Sequence, residues 1–330
     1  MKTNKLLPGA PPSIVMAAAF ALFSRFLGAI RPGAGMVQKA LLLVASLLVV
    51  QITQAQDVPS PALDRILARQ ALYVGYREAA LPFSYTLPGQ SVPTGYFWDV
   101  CSQVFKAVET RLGKTIPVVP VAVSDNARAM MLKTAMIDMD CGSLGNTVAR
   151  QKQVGFSTNI YISEIKVLVR KGAGFSGFEQ FDGKRLVTVS GGTAERYVKM
   201  AALGRNIVPQ HLLANTPAEA MAMLAAGKAD AYAAEDAVLV AQRAASPGEF
   251  VLLDAPLATE PFGIMLPKDD AGWKNLVDAT IADLMRSGEL ARIYDKWFMS
   301  PIQPGAINLD LPMSQLLKAA IETPSDTPVN

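Results

Sequence analysis

Three segments of this sequence carry side chains able to hold a small polar molecule. In the first, Gly142-Ser143-Leu144-Gly145-Asn146-Thr147 runs toward Arg150, so a planar guanidinium follows a stretch whose backbone N–H groups and Ser143 hydroxyl can bind an anion. In the second, Ser190-Gly191-Gly192-Thr193, the small residues let backbone approach a ligand, Thr193 adds a hydroxyl, and a helix starting there would aim its N-terminus at an anionic group. In the third, Glu235-Asp236 offers adjacent carboxylates to a cation. Each has a plainer alternative. Arg150 could cap the next segment from the surface, residues 190–193 could be a tight turn, and Asp236 could cap a helix for about 1 kcal/mol beside a solvated Glu235.

Several other chemistries lack their parts. A Ser-His or Cys-His nucleophile needs an imidazole, and the single histidine, His211, is far in sequence from Ser143, Cys101 and Cys141. A phosphate loop would need a Lys-Ser/Thr ending, and a dinucleotide turn three glycines at set spacing; neither is present. Asp138 and Asp140 point the same way along a strand and are read as structural, not as a metal site. No cofactor and no metal are expected, which leaves carboxylate chemistry as the catalytic alternative.

The elements that must position these residues alternate between short β-branched or apolar runs and amphipathic helical runs, which signals an α/β architecture with a largely parallel sheet. Strands are expected at 72–75, 116–121, 137–141, 166–170, 185–190, near Ile207, and at 229–233, 250–253 and 262–266. Helices are expected at 98–112, 127–134, 194–202, 217–226, 236–243, 271–287 and 290–297, with a hairpin-like stretch at 83–96. Residues 142–150 have no periodicity and read as a loop at a strand's carboxyl end, where α/β folds bind ligands. The grammar occurs twice, which predicts a second lobe at 163–258 and a first lobe made of 56–162 and 259–330. Hinges are expected near Ile162–Ile165 and Ala255–Thr259, in the two crossing strands.

The first 55 residues contain five basic side chains and no acidic one, so the basic excess belongs to this leader and the remainder is slightly acidic. That balance lacks the positive field needed for a nucleic-acid partner. Residues 36–55 read as a secretory signal: Lys39, an apolar stretch over Ala40–Val50, and cleavage near Ala55 after Thr53-Gln54, with Met36 as an alternative start. Cys101 and Cys141, in an exported chain, are a candidate disulfide between a helix and a strand end. A monomer is expected.

Longer motifs carry a resemblance. LPFSY (81–85), GYFWDVC (95–101), DCGSLGNTVARQKQVGFS (140–157), FDGKRLVTVSGGT (181–193), GKADAYAAEDAVL (227–239), EPFGIMLPKDD (260–270), SGELARIYDKWF (287–298) and PIQPGAINLDL (301–311) resemble the family 3 extracellular solute-binding proteins of ABC transporters, nearest their glutamate/aspartate-binding branch. The resemblance covers nearly all of residues 63–330. It implies a bilobed, type II periplasmic-binding-protein-like fold and a periplasmic, non-catalytic receptor that hands a small amino acid to ABC permease subunits. A free amino acid presents a carboxylate and an ammonium at fixed spacing, so Arg150, Ser143, Gly192 and Thr193 are expected on the first and Glu235 or Asp236 on the second. Arg77 and Arg128 match positions where the branch places arginines for a side-chain carboxylate. Gly145, Ala149 and Glu235 depart from the Thr, Glu and Asp usual at their positions. A dehydratase-like enzyme of the same fold, or a sensor with a modified pocket, is the alternative.

Overall fold

The computed structural model describes residues 58–329. The leader, its cleavage near Ala55 and the alternative start at Met36 lie outside the described residues. In chain order the elements are α1 (Pro61–Arg69), β1 (Leu72–Tyr76), β2 (Ala79–Ala80), β3 (Ser84–Thr86), β4 (Pro93–Thr94), α2 (Tyr96–Leu112), β5 (Val118–Ala122), α3 (Arg128–Lys133), β6 (Met139–Gly145), α4 (Val148–Gln151), β7 (Gly155–Phe156) and β8 (Tyr161–Arg170). There follow β9 (Arg185–Val189), α5 (Thr193–Arg205), β10 (Gln210–Ala214), α6 (Pro217–Ala225), β11 (Ala231–Glu235), α7 (Asp236–Ala245), β12 (Phe250–Leu252), β13 (Ala258–Leu266), α8 (Ala271–Arg286), α9 (Glu289–Tyr294) and α10 (Gln315–Glu322).

One sheet runs β10-β9-β11-β8-β13-β6-β1-β5, with β12 added to β8 and β7 to β13. Its outer parts are parallel, β1 with β5 and β6, and β9 with β10 and β11. The centre is antiparallel: β8 pairs β13 from Tyr161↔Phe262 to Ile165↔Ala258. These two strands cross between two α/β lobes, and the buried residues form several cores, the first of which also takes in Ala237, Val240 and Ala241 of α7. One core gathers Ile66, Val74, Phe97, Val104, Ile264, Trp273 and Ile281. Beyond the crossing, Val167, Phe181, Leu186 and Val198 pack on one face of the sheet, and Leu168, Val187, Leu224 and Leu239 on the other. Val167 and Leu168 are consecutive, so the two-residue period of a strand sends them into different cores.

Local chemistry ends and begins the helices. Gly113 takes the left-handed conformation (φ +68°) that closes α2, and its N–H bonds the Glu109 carbonyl. The Ser60 and Thr216 hydroxyls accept from backbone N–H groups at the starts of α1 and α6. The expected bridge is present: Cys101 of α2 is bonded to Cys141 of β6. It ties the helix to the strand that leads into the first anion-binding segment.

Three expectations are corrected. The 142–150 stretch is not a loop throughout: β6 continues to Gly145, paired with Phe262 of β13, and Val148–Gln151 forms a helical turn capped by the Thr147 hydroxyl. Small residues hid this strand, because Gly142, Ser143 and Gly145 give no alternating apolar signal. The strand expected near Ile207 lies at Gln210–Ala214, where it pairs with β9. β11 and β13 extend beyond their expected spans, the first to Glu235 and the second back to Ala258. The Pro-rich tail contains α10, and its end returns to pair Val329 with Thr147. Among the described residues no helix is long and apolar enough to cross a membrane.

Candidate functional site

A cleft of about 720 Å³, open to solvent on one side, lies where the crossing strands bring the lobes together. Ser143, Leu144 and Gly145 of β6 line it, as do Arg150 of α4, Arg77 just after β1, and Phe83. From the opposite lobe come Gly191, Gly192 and Thr193 at the start of α5, and Tyr232 to Glu235 of β11. Arg77, Ser143, Arg150, Gly192, Thr193 and Glu235 therefore line one cavity.

Strand and helix ends explain this gathering. Strands β1, β6, β9 and β11 all present their carboxyl ends to the cleft, so residues at or just after those ends, Arg77, Gly145, Val189 and Glu235, line it. Ser143 sits at φ +53°, a left-handed conformation uncommon for a residue with a side chain, and its carbonyl accepts from Arg128 Nη1 at 3.1 Å. A methyl group on Gly142 would lie 2.7 Å from Asp140 Oδ1 and 2.9 Å from Arg77 Cγ, so only glycine fits there. Arg77 is held at Asp125, Nη2 to Oδ2 at 3.1 Å.

The electrostatics favour a ligand bearing both signs of charge. Arg150 donates to the Gly145 carbonyl at 2.9 Å; burial lowers its pKa, which the carboxylate of Glu260 partly opposes. A desolvated guanidinium of this kind gains most from an anion that offers two oxygens. Across the cleft, burial raises the Glu235 carboxyl above its ordinary range, against the pull of Arg77 and Arg150. An ammonium beside it would favour its ionised form.

Two expected site residues sit elsewhere. Asp236 follows Glu235 directly but turns to the other side, where Oδ1 accepts from the Ser163 hydroxyl at 3.1 Å and faces the Tyr161 hydroxyl at 3.4 Å. Glu235 is the last strand residue and Asp236 the first helical one, so adjacent carboxylates diverge. Burial pushes the Asp236 carboxyl up to about 6. Arg128 is 1% exposed and lies behind the wall, between Asp125 Oδ1 (2.5 Å) and Asp140 Oδ2 (3.2 Å). It holds the Ser143 segment in shape instead of lining the cavity.

Two acidic residues of the site gave no sequence signal. Asp125 lines the cleft between Arg77 and Arg128. Glu260 is fully buried in β13 behind the wall; Thr193 Oγ1 donates to its Oε2 at 2.5 Å, and Arg150 Nη1 lies 3.9 Å from Oε1. Burial pushes its carboxyl up to about 7. Gly145 makes room for it, since a methyl group there would lie 1.9 Å from Oε1. A charge preceding a strand-like apolar run reads as a surface residue, which is why Glu260 passed unnoticed. Among the described residues no group of His, Cys, Asp and Glu is placed to hold a metal ion.

Residues 72–300 match the model of the bacterial extracellular solute-binding proteins, family 3. The chain is 35% identical to the L-glutamate/L-aspartate-binding protein of Pseudomonas aeruginosa over 82% of its length and 90% of that protein's. It is 32% identical to the glutamate/aspartate import solute-binding protein of Escherichia coli K12, over 84% and 94%. Among solved structures, an ancestral amino acid-binding protein that is a precursor of cyclohexadienyl dehydratase superposes with a TM-score of 0.62 at 24% identity, covering 72% of this chain and 99% of that one.

Proposed function

The chain belongs to the bacterial extracellular solute-binding proteins of family 3, and on that premise we propose that it is the periplasmic receptor of an ABC amino-acid importer, closing its two lobes around glutamate or aspartate. In this reading residues 163–258 form one lobe and the flanking described residues the other. Arg150, the Ser143 segment and the Gly192–Thr193 helix start hold the α-carboxylate. Glu235 takes the ammonium. Arg77, steadied by Asp125, takes the side-chain carboxylate. Arg128 and Asp236 serve from behind the wall, the one shaping the Ser143 backbone and the other anchoring β11 to β8 through Ser163.

The observation that carries the reading is the approach of Arg150 and Glu235 from opposite lobes to one cavity, which matches the two charges every free amino acid presents. Arg77, paired with Asp125 at 3.1 Å, adds a second guanidinium to the cavity lining, where a ligand's side-chain carboxylate would share it and a basic side chain would meet a like charge.

Calorimetric titration with each of the common amino acids, followed by chemical analysis of the mixture, tests it. Saturable binding of L-glutamate or L-aspartate with the ligand recovered intact is expected. Conversion of the ligand to product would identify a carboxylate-based enzyme, and silence toward all of them would reject the receptor.

A further inference from the structure

Glu260 is the buried titratable group that the binding scheme leaves without work. It stands on β13, one of the two strands that cross between the lobes, opposite Ser163 of β8. Its two oxygens are placed differently. Oε2 accepts the Thr193 hydroxyl from one lobe at 2.5 Å, while Oε1 has no hydrogen-bond partner and lies 3.9 Å from Arg150 Nη1 of the other. The carboxylate therefore holds Thr193 and lies within ion-pair distance of Arg150, the side chains assigned above to the ligand's α-carboxylate.

The neighbours leave little else to compensate it. Arg150 faces it from α4, Thr193, Arg196 and Tyr197 from α5, and Glu235 from β11. Glu235 repels it, and Arg196 attracts it. From β6 the neighbour is Gly145, whose missing side chain is what admits the carboxylate. If Arg150 and Thr193 turn to a ligand carboxylate, an ionised Glu260 is left buried beside a second anion, an arrangement that neutralises itself by taking a proton.

Resting on the receptor reading above, we propose that Glu260 makes ligand capture proton-linked: binding an α-carboxylate at Arg150 and Thr193 transfers a proton from solvent to the Glu260 carboxylate. The proton settles on Oε1, the unpartnered oxygen, and no bond of the ligand is made or broken. Glu260 acts through Arg150 and Thr193 and is a positioning residue.

The sign follows from linkage. Burial already places the free protein's Glu260 midpoint at about 7, and a bound anion raises it further. Below about pH 7 the residue is protonated before and after binding and adds no pH dependence to affinity. Above that midpoint each pH unit weakens binding by up to roughly tenfold, until the midpoint of the complex is passed.

The test is titration of L-glutamate and L-aspartate into the wild-type protein at about pH 8 in two buffers of different ionisation enthalpy, repeated with Glu260→Gln. Proton uptake per ligand in the wild type exceeding that of Glu260→Gln by nearly one, with the variant losing the weakening of affinity above about pH 7, is the expected result. Saturable binding with no proton uptake in the wild type overturns the inference and leaves the receptor reading standing, without needing the variant to fold. Undiminished uptake in Glu260→Gln overturns it as well. Failure of every amino acid to bind rejects the receptor reading, and this inference with it.

Discussion

At the scale of single residues, the site separates groups that can meet a ligand from groups that hold them. Arg77 and Arg128 look alike in the sequence, yet one lines the cleft while the other is buried among Asp125, Asp140 and the Ser143 carbonyl. Arg128→Met should therefore cost stability before it alters ligand preference. Removing one partner of a buried ion pair typically costs about 3 to 5 kcal/mol, and urea unfolding should register a loss of that order. A loss under about 1 kcal/mol with a shift toward neutral amino acids would instead put Arg128 in contact with the ligand. The family motifs in the sequence could point to Arg150 and Glu235, and Thr193 follows from a Gly-rich segment that opens a helix. The sequence could not rank Arg77 against Arg128, or Glu235 against Asp236, since burial is decided by neighbours brought in from other elements. Glu260 and Gly145 make the same point: the glycine departs from the usual threonine at a position whose side-chain space the distant glutamate fills.

At the scale of elements, β6 and the turn after it are the part of the site that needs most support. Its small residues supply little packing, and the structure compensates from two directions. The Cys101–Cys141 bridge holds its start to α2, and the C-terminal strap holds its end. Asn146 Nδ2 and Gln151 Nε2 donate to the Asp326 carbonyl at 2.8 and 2.9 Å, and the Val148 N–H donates to the Val329 carbonyl at 2.9 Å. Cutting the chain after Pro324 removes these bonds without opening the main core. The truncated protein should fold, with L-glutamate affinity lowered by about tenfold, because a carboxylate clamp gains from being held in place before the ligand arrives. Circular dichroism and calorimetry check the two halves of that statement, and unchanged affinity would show that the strap does not steady Arg150. Helices with clear apolar periodicity, such as α2 and α8, are legible in the sequence to within a few residues. Gly-rich β6 and the strapped tail are not, since their structure comes from pairing with distant segments and not from local pattern.

At the scale of the whole molecule, the lobes meet through β8 and β13, and both strands pass the boundary as ordinary paired backbone. The expected hinge segments, Ile162–Ile165 and Ala255–Thr259, overlap this crossing, so the proposed closure of the lobes bends the two strands there. The repeated strand and helix grammar made the two-lobe plan legible, whereas the antiparallel centre was hidden because the crossing strands are distant in sequence. The central claim is that guanidinium and carboxylate groups from opposite lobes converge on one amino acid. Titration of L-glutamate into Arg150→Ala, beside the wild type, tests it most directly. Arg150 is partly exposed and leaves the cores intact, so the variant should keep its unfolding midpoint to within a few degrees while binding weakens by at least about a hundredfold. Wild-type affinity in a folded Arg150→Ala protein would contradict that claim.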